Sequence, residues 1–215
     1  MASHRDTPFE QEMRRNPELM LQEAGNFFME RGILVQTLRH LTRHLEQASI
    51  PYAVIGAIAL SRYGLVRMTL DIDILLSPEG LEKFKTLYLG RGYVAAFPGA
   101  QKTFRAADTG VRIEVVTAGG YPGDGKPKAV RFPDPAEAAT EIGGISLLPL
   151  ERFLELKLAS GLTAPHRRRD LADVQDLIRT LGLSAGFAER LDLSVQAVFR
   201  ELWQEAQAVD PLQEE

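Results

Sequence analysis

The run Leu70-Asp-Ile-Asp-Ile-Leu-Leu76 constrains this chain more than any other segment. Its apolar residues read as a buried strand, and alternate residues of a strand point to the same face. Asp71 and Asp73 therefore stand side by side, while Leu70, Ile72 and Ile74 take the opposite face. Two carboxylates that close repel each other and raise at least one pKa. An apolar strand has little structural reason to carry such a pair. A divalent cation between them removes the penalty, and hard carboxylate oxygens suit Mg²⁺ or Mn²⁺. A lone Asp-x-Asp is usually two solvated acids on an edge strand; the apolar flanks argue against that here.

A third carboxylate has the right setting. In Val111-Arg-Ile-Glu-Val-Val116, Ile113 and Val115 alternate with Glu114, and Arg112 shares its face. If this strand pairs beside the first, Glu114 joins Asp71 and Asp73 at one site. Three carboxylates holding two Mg²⁺ ions are the apparatus of phosphoryl or nucleotidyl transfer.

The rest of the chain supplies a frame. Residues 1–16 read as a polar, partly disordered lead. From Pro17 to Ser49 apolar residues recur at helical spacing, with Leu34, Leu38, Leu41 and Leu45 on one face. Tyr52–Ile55 reads as a strand, Gly56-Ala57 as a turn and Ile58–Tyr63 as a short helix. Ser77-Pro78-Glu79 opens a helix that runs to about Leu89. Strands are expected over Tyr93–Phe97, Lys102–Ala106 and Val111–Val116, with further short ones at Ala129–Phe132 and Ile145–Leu147. Helices are expected at about 150–160, 169–180 and 187–207, then an acidic frayed tail from Val209. His40 and His44 share a helix face without an evident third ligand, and Phe199 and Trp203 read as core.

Composition narrows the class. The 215 residues include no cysteine, so disulfides, thiolate zinc sites and cysteine nucleophiles are out. The net charge of −4 excludes a generally basic nucleic-acid binder. Any polyanion must meet a local patch, for which Arg167-Arg168-Arg169 is the candidate. The first 16 residues carry no apolar signal core, and the apolar runs are too short to span a bilayer. A cytoplasmic protein without a membrane partner is expected.

Several strings share a further likeness. Ile55-Gly-Ala-Ile-Ala-Leu60, Tyr63-Gly64 and Arg67-Met-Thr-Leu-Asp-Ile-Asp-Ile74 together resemble the first motif of the DNA polymerase β-like nucleotidyltransferase superfamily, most of all its bacterial AbiEii type. Leu150–Ser160 and Arg167-Arg-Arg-Asp-Leu-Ala-Asp-Val-Gln-Asp-Leu177 resemble its lysine helix and its Asp-Leu-x-Asp segment. The likeness spans roughly residues 50–180. Two positions depart from the pattern: Ala57 stands where serine is frequent, and Glu114 where aspartate is common.

The resemblance implies an α/β (α+β) fold, with a small mixed sheet flanked by helices and a helical C-terminal extension. It divides the chain into the lead 1–16, a core with its N-terminal helix at 17–148, a helical region at 149–208 and a tail at 209–215. It implies that Gly56 and Ala57 hold the phosphates of an NTP, that Asp71, Asp73 and Glu114 ligate Mg²⁺ or Mn²⁺, and that Glu114 helps deprotonate an acceptor hydroxyl. It assigns Lys157 to phosphate charge. Arg67, Thr69 and Asp170 fall on the nucleotide, Asp170 with the option of orienting Lys157. The acceptor is left open among RNA such as tRNA, protein and small molecules, including antibiotics. A toxin paired with an antitoxin protein is one implied role. A non-catalytic relative that binds a nucleotide or a protein partner is the alternative.

Overall fold

The computed structural model describes residues 6–28 and 31–208. The expected tail from residue 209, and residues 1–5 of the lead, lie outside them.

The first element corrects the sequence reading. Residues 8–15 of the expected lead form helix α1 (Pro8–Arg15). Thr7 caps it, Pro8 pre-sets the first turn, and Glu10 returns to the Thr7 N–H to close a capping box. Phe9 and Met13 are buried against the core. The polar majority of this segment faces out, and two apolar residues four apart suffice to dock one short helix.

The long helical stretch of the sequence is two helices, α2 (Pro17–Phe28) and α3 (Ile33–Gln47). Gly32, at φ +94°, adopts a backbone that L side chains avoid, and it sits just ahead of α3. Glu23 reaches across to accept the Ile33 N–H at 3.0 Å, satisfying a donor at the start of α3. Leu34, Leu38, Leu41 and Leu45 form its buried face, as their spacing predicts.

Strand β1 (Tyr52–Ile55) runs straight into helix α4 (Gly56–Arg62), and β2 (Asp71–Leu76) into α5 (Pro78–Tyr88), which Ser77 caps. Then come β3 (Tyr93–Ala95), β4 (Thr103–Ala106), β5 (Arg112–Thr117), the short α6 (Pro135–Ala138), β6 (Thr140–Ile142) and β7 (Ile145–Leu147). Helices α7 (Leu150–Thr163), α8 (Arg169–Leu181) and α9 (Leu193–Gln207) follow. Residues 187–190, expected as the start of the last helix, belong instead to a 3₁₀ turn (Ala185–Arg190); Asp192 caps α9 after it.

The strands build one mixed sheet in the order β3-β4-β5-β2-β1-β7-β6. β2 lies at its centre, antiparallel to β1 and parallel to β5. Helices flank the sheet, which gives the expected α/β class. Residues 129–132 do not form a strand. Pro127 and Pro133 bracket them and have no N–H to offer a ladder. Phe132 instead exchanges backbone hydrogen bonds with Gly119 and Gly120, at 2.8 and 2.9 Å. Among the described residues, no helix is long and apolar enough to cross a membrane.

Candidate active site

The register of two strands assembles the site. β2 and β5 pair with Asp71 opposite Arg112 and Asp73 opposite Glu114. Asp71, Asp73 and Glu114 are half-buried, and Ile72, Ile74, Ile113 and Val115 between them are buried. The period-2 pattern thus puts the carboxylates on one face of the sheet and the aliphatic side chains on the other. The pairing joins segments about forty residues apart, so only the fold could establish it.

Gly56 explains how close the chain comes here. A Cβ at this position would lie 1.9 Å from Asp73 Oδ2, and the residue has φ +67°. Glycine is needed both for the conformation and for the carboxylate pressed against its Cα. Ala57, next along, is buried and is not among the residues lining the cleft.

Asp73 bears the electrostatic burden. Burial, then the charges of Asp71 and Glu114, push its carboxyl up to about 7, against the downward pull of Arg167 and Lys157. Each carboxylate leans on a different neighbour. The Thr69 hydroxyl donates to Asp71 Oδ1. Glu114 Oε1 lies 3.8 Å from Arg112 Nη1. Asp73 rests against Gly56. Among the described residues, no three His, Cys, Asp or Glu side chains form a ready metal cage. Carboxylates that repel one another draw toward separate partners, and a cation is what would gather them. The donors are all hard carboxylate oxygens, so their chemistry fits Mg²⁺ or Mn²⁺.

A cleft of about 220 Å³ opens in front of Asp73 and Glu114. Gly56 forms one edge, α7 contributes Phe153, Leu156, Lys157 and Ser160, and Tyr121 and Phe132 come from the loop after β5. Lys128 straps that loop down, donating to the Pro122 carbonyl at 2.6 Å and to Thr163 Oγ1 at 3.0 Å.

Lys157 is buried in the cleft wall, not snorkelling to solvent. Its ammonium donates to Asp170 Oδ1 at 2.9 Å and to Asp173 Oδ2 at 2.7 Å. Ser160 Oγ holds the other oxygen of Asp170 at 2.7 Å. The lysine comes from α7 and both aspartates from α8, and these two helices pack on each other. Arg67 donates to both oxygens of Asp173 at 2.8 Å and does not line the cleft. Thr69 is likewise engaged with Asp71 outside the cleft lining.

Asp173 carries no role in the sequence-based expectations. It is buried, and it is the carboxylate that Arg67 and Lys157 share. The cue was available: an acid three residues after Asp170 lies on the same helix face. Of the expected basic patch Arg167-Arg168-Arg169, all exposed, Arg167 lines the cleft. The two histidines are not a pair. His44 Nδ1 meets the Tyr93 hydroxyl at 2.9 Å and its ring stacks on Tyr88, whereas His40 is exposed. Phe199 is core, and Trp203 is half-buried with its indole N–H on the Leu183 carbonyl.

No protein-family model and no curated protein matches the chain. Several solved structures are similar to it. ANT(2'')-Ia, in complex with adenylyl-2''-tobramycin, is 16% identical over 80% of this chain and 98% of that one, with a TM-score of 0.47. JHP933 from Helicobacter pylori is 18% identical over 80% and 88%, with a TM-score of 0.43. A candidate nucleotidyltransferase from Thermotoga maritima is 19% identical over 66% and 96%, with a TM-score of 0.40. At these scores the likeness decides nothing about chemistry, which has to be read from the residues.

Proposed function

We propose that the chain is a Mg²⁺-dependent nucleotidyltransferase, moving a nucleotidyl group from an NTP to a hydroxyl acceptor. The observation that carries this reading is the register of β2 on β5. It sets Asp73 beside Glu114, with Asp71 two residues along, at a cleft that Lys157 also lines. A charged, mutually repelling trio on buried strands is costly to keep without a cation to hold.

Asp71, Asp73 and Glu114 would hold the metal, which when bound offsets triphosphate charge and makes the α-phosphorus more electrophilic. The chain supplies the rest. Backbone N–H groups of Gly56 and Ala57 would meet the β- and γ-phosphates. Lys157 gives a point charge in the cleft, aimed by Asp170 and Asp173. Asp170 thus acts through the lysine, Thr69 through Asp71 and Arg67 through Asp173. Glu114 would take the proton of the acceptor hydroxyl. The acceptor oxygen bonds to the α-phosphorus as the bond to the bridging oxygen breaks, and pyrophosphate leaves with that electron pair.

The Arg67-Met-Thr-Leu-Asp-Ile-Asp string supports a place near the AbiEii type, and with it a cytoplasmic toxin whose partner is an antitoxin. The deciding experiment incubates purified protein with each α-labelled NTP, Mg²⁺ and a cell extract. Label should move to one class of macromolecule or metabolite with wild type and not with Asp73→Asn. Equal labelling by a folded Asp73→Asn protein would refute the reading.

A further inference from the structure

The cleft in front of Asp73 and Glu114 has two kinds of lining. Asp73, Glu114, Lys157, Arg167 and Asp170 bring charge to it, whereas Val116, Tyr121, Phe132 and Phe153 give it apolar surface. Val116 follows Glu114 by two residues on β5, so it shares the face of the carboxylate and lies about 7 Å farther along the strand. A ligand that matches both linings is charged in one part and flat and aromatic in another.

The loop after β5 is built to present two rings. Gly119 and Gly120 exchange backbone hydrogen bonds with Phe132, at 2.8 and 2.9 Å. This clasp closes the loop at its base and brings Phe132 beside the segment that carries Tyr121. Gly123 then presses the loop onto α7. It has φ +75°, and a Cβ there would lie 2.3 Å from Thr163 Oγ1 and 2.8 Å from the Ser160 carbonyl oxygen. Lys128 fastens the same contact, donating to the Pro122 carbonyl and to Thr163 Oγ1. Phe153, the third ring of the lining, is already engaged by the Lys157 ammonium, 5.4 Å from its centre, and by the Tyr63 ring at 5.6 Å. Tyr121 and Phe132 are half-buried and have no ring or cation partner among the described residues. Half-buried rings facing a cleft are stacking platforms, and such stacking tolerates any base because every base has a π face.

Resting on the nucleotidyltransferase reading above, we infer that Tyr121 and Phe132 form the platform on which the base of the NTP stacks. The clasp at Gly119–Gly120 and the Lys128 strap hold the two rings at the cleft before the nucleotide enters. The platform meets the face of the base and not its edge, so it fixes where the nucleotide lies without choosing which one.

The test is calorimetry on the full chain with Mg²⁺ and no acceptor, titrating ATP, CTP or inorganic tripolyphosphate, which carries the charge without a base. Wild type should bind either nucleotide at least about tenfold more tightly than tripolyphosphate. Tyr121→Ala and Phe132→Leu should each raise the Kd for ATP and for CTP about tenfold, the scale of one stacking contact, and leave that for tripolyphosphate within about twofold. Tyr121→Phe, which keeps the ring, should bind ATP as wild type does. Should Phe132→Leu fail to fold, Tyr121→Ala, on the loop itself, decides alone. A merely structural role would weaken tripolyphosphate along with the nucleotides. That result, or an unchanged nucleotide Kd in either ring variant, or a wild type that binds tripolyphosphate as tightly as ATP, overturns the inference alone. A wild-type protein that binds none of the three overturns the functional reading and this inference with it.

Discussion

Gly56→Ala is the sharpest single test of how the carboxylate site is built. The added Cβ would stand 1.9 Å from Asp73 Oδ2, 2.8 Å from Cγ and 3.0 Å from Cβ of the same residue. Real contacts of a Cβ fall no closer than 3.0 Å, so the carboxylate must retreat by about 1 Å, and a misplacement of that size at a reacting centre can cost about a hundredfold in rate. Its strand is held between β1 and β5 on both sides, so the backbone stays and the carboxylate has to rotate away into the cleft. The methyl also meets the φ of +67°, a left-handed backbone that costs a non-glycine residue roughly 1–2 kcal/mol. For a chain of this size each kcal/mol lowers Tm by roughly 2–4 °C. Steady-state transfer from labelled NTP, measured beside a thermal melt, separates the two effects. The expected result is a folded protein, a few degrees less stable, with kcat/KM down about a hundredfold. A folded Gly56→Ala protein with wild-type kcat/KM would show that the position of Asp73 against this turn is irrelevant to function.

Three further outcomes follow from the same geometry. Burial, then Asp71 and Glu114, raise the Asp73 carboxyl from 3.8 to about 7, so its contribution to stability is present below 3.8 and lost as pH rises through 7. Metal-free protein should therefore lose stability through this group across that window, and Asp73→Asn should flatten the slope in melts with chelator; an unchanged slope counts against the clustering of the three carboxylates. Lys157→Met leaves Asp170 without its cation and Asp173 to Arg67 alone, a loss of up to about 3–5 kcal/mol in stability, and the folded fraction should lose about 2–4 kcal/mol of transition-state stabilisation. Denaturant titration and kinetics check both, and wild-type kcat/KM would reduce the lysine to a structural ion pair. Gly161→Ala drives a Cβ to 2.5 Å from Leu171 Cγ at the α7–α8 contact, which should cost about 1–3 kcal/mol; an unmoved Tm would mean the two helices are less tightly packed than described.

The carboxylate face was legible because period-2 alternation is a local property: Asp71, Asp73 and Glu114 each stand between aliphatic residues that must be buried. Their meeting was not, since strand order is decided by the whole sheet and β5 could as well have paired elsewhere. The partners of Thr69 and Arg67, Asp71 and Asp173, were hidden for a related reason. Motif strings say which residues gather near a site, but not whether a hydroxyl or guanidinium is already engaged by Asp71 or Asp173. The α1 helix was missed although its signal was present. Thr7-Pro8-Phe9-Glu10 spells a capping box with proline at the first helical position, but it sits in a segment whose charge masks its two apolar docking residues. The 129–132 segment failed in the opposite direction, where apolar composition suggested a ladder that flanking prolines deny.

Asp173 acts as a bolt between the sheet side and the helices. Arg67, on the segment leading into β2, is fastened to α8, while α7 is fastened to α8 through Lys157. Swinging α7–α9 away from the sheet would pull Arg67 off a carboxylate that is 4% exposed as a residue. At about 3 kcal/mol for breaking such a pair, the swung-out form would be populated under about 1% of the time. The width of the cleft is therefore set by this one shared carboxylate, and on the proposed function an NTP would have to fit an opening that is already fixed.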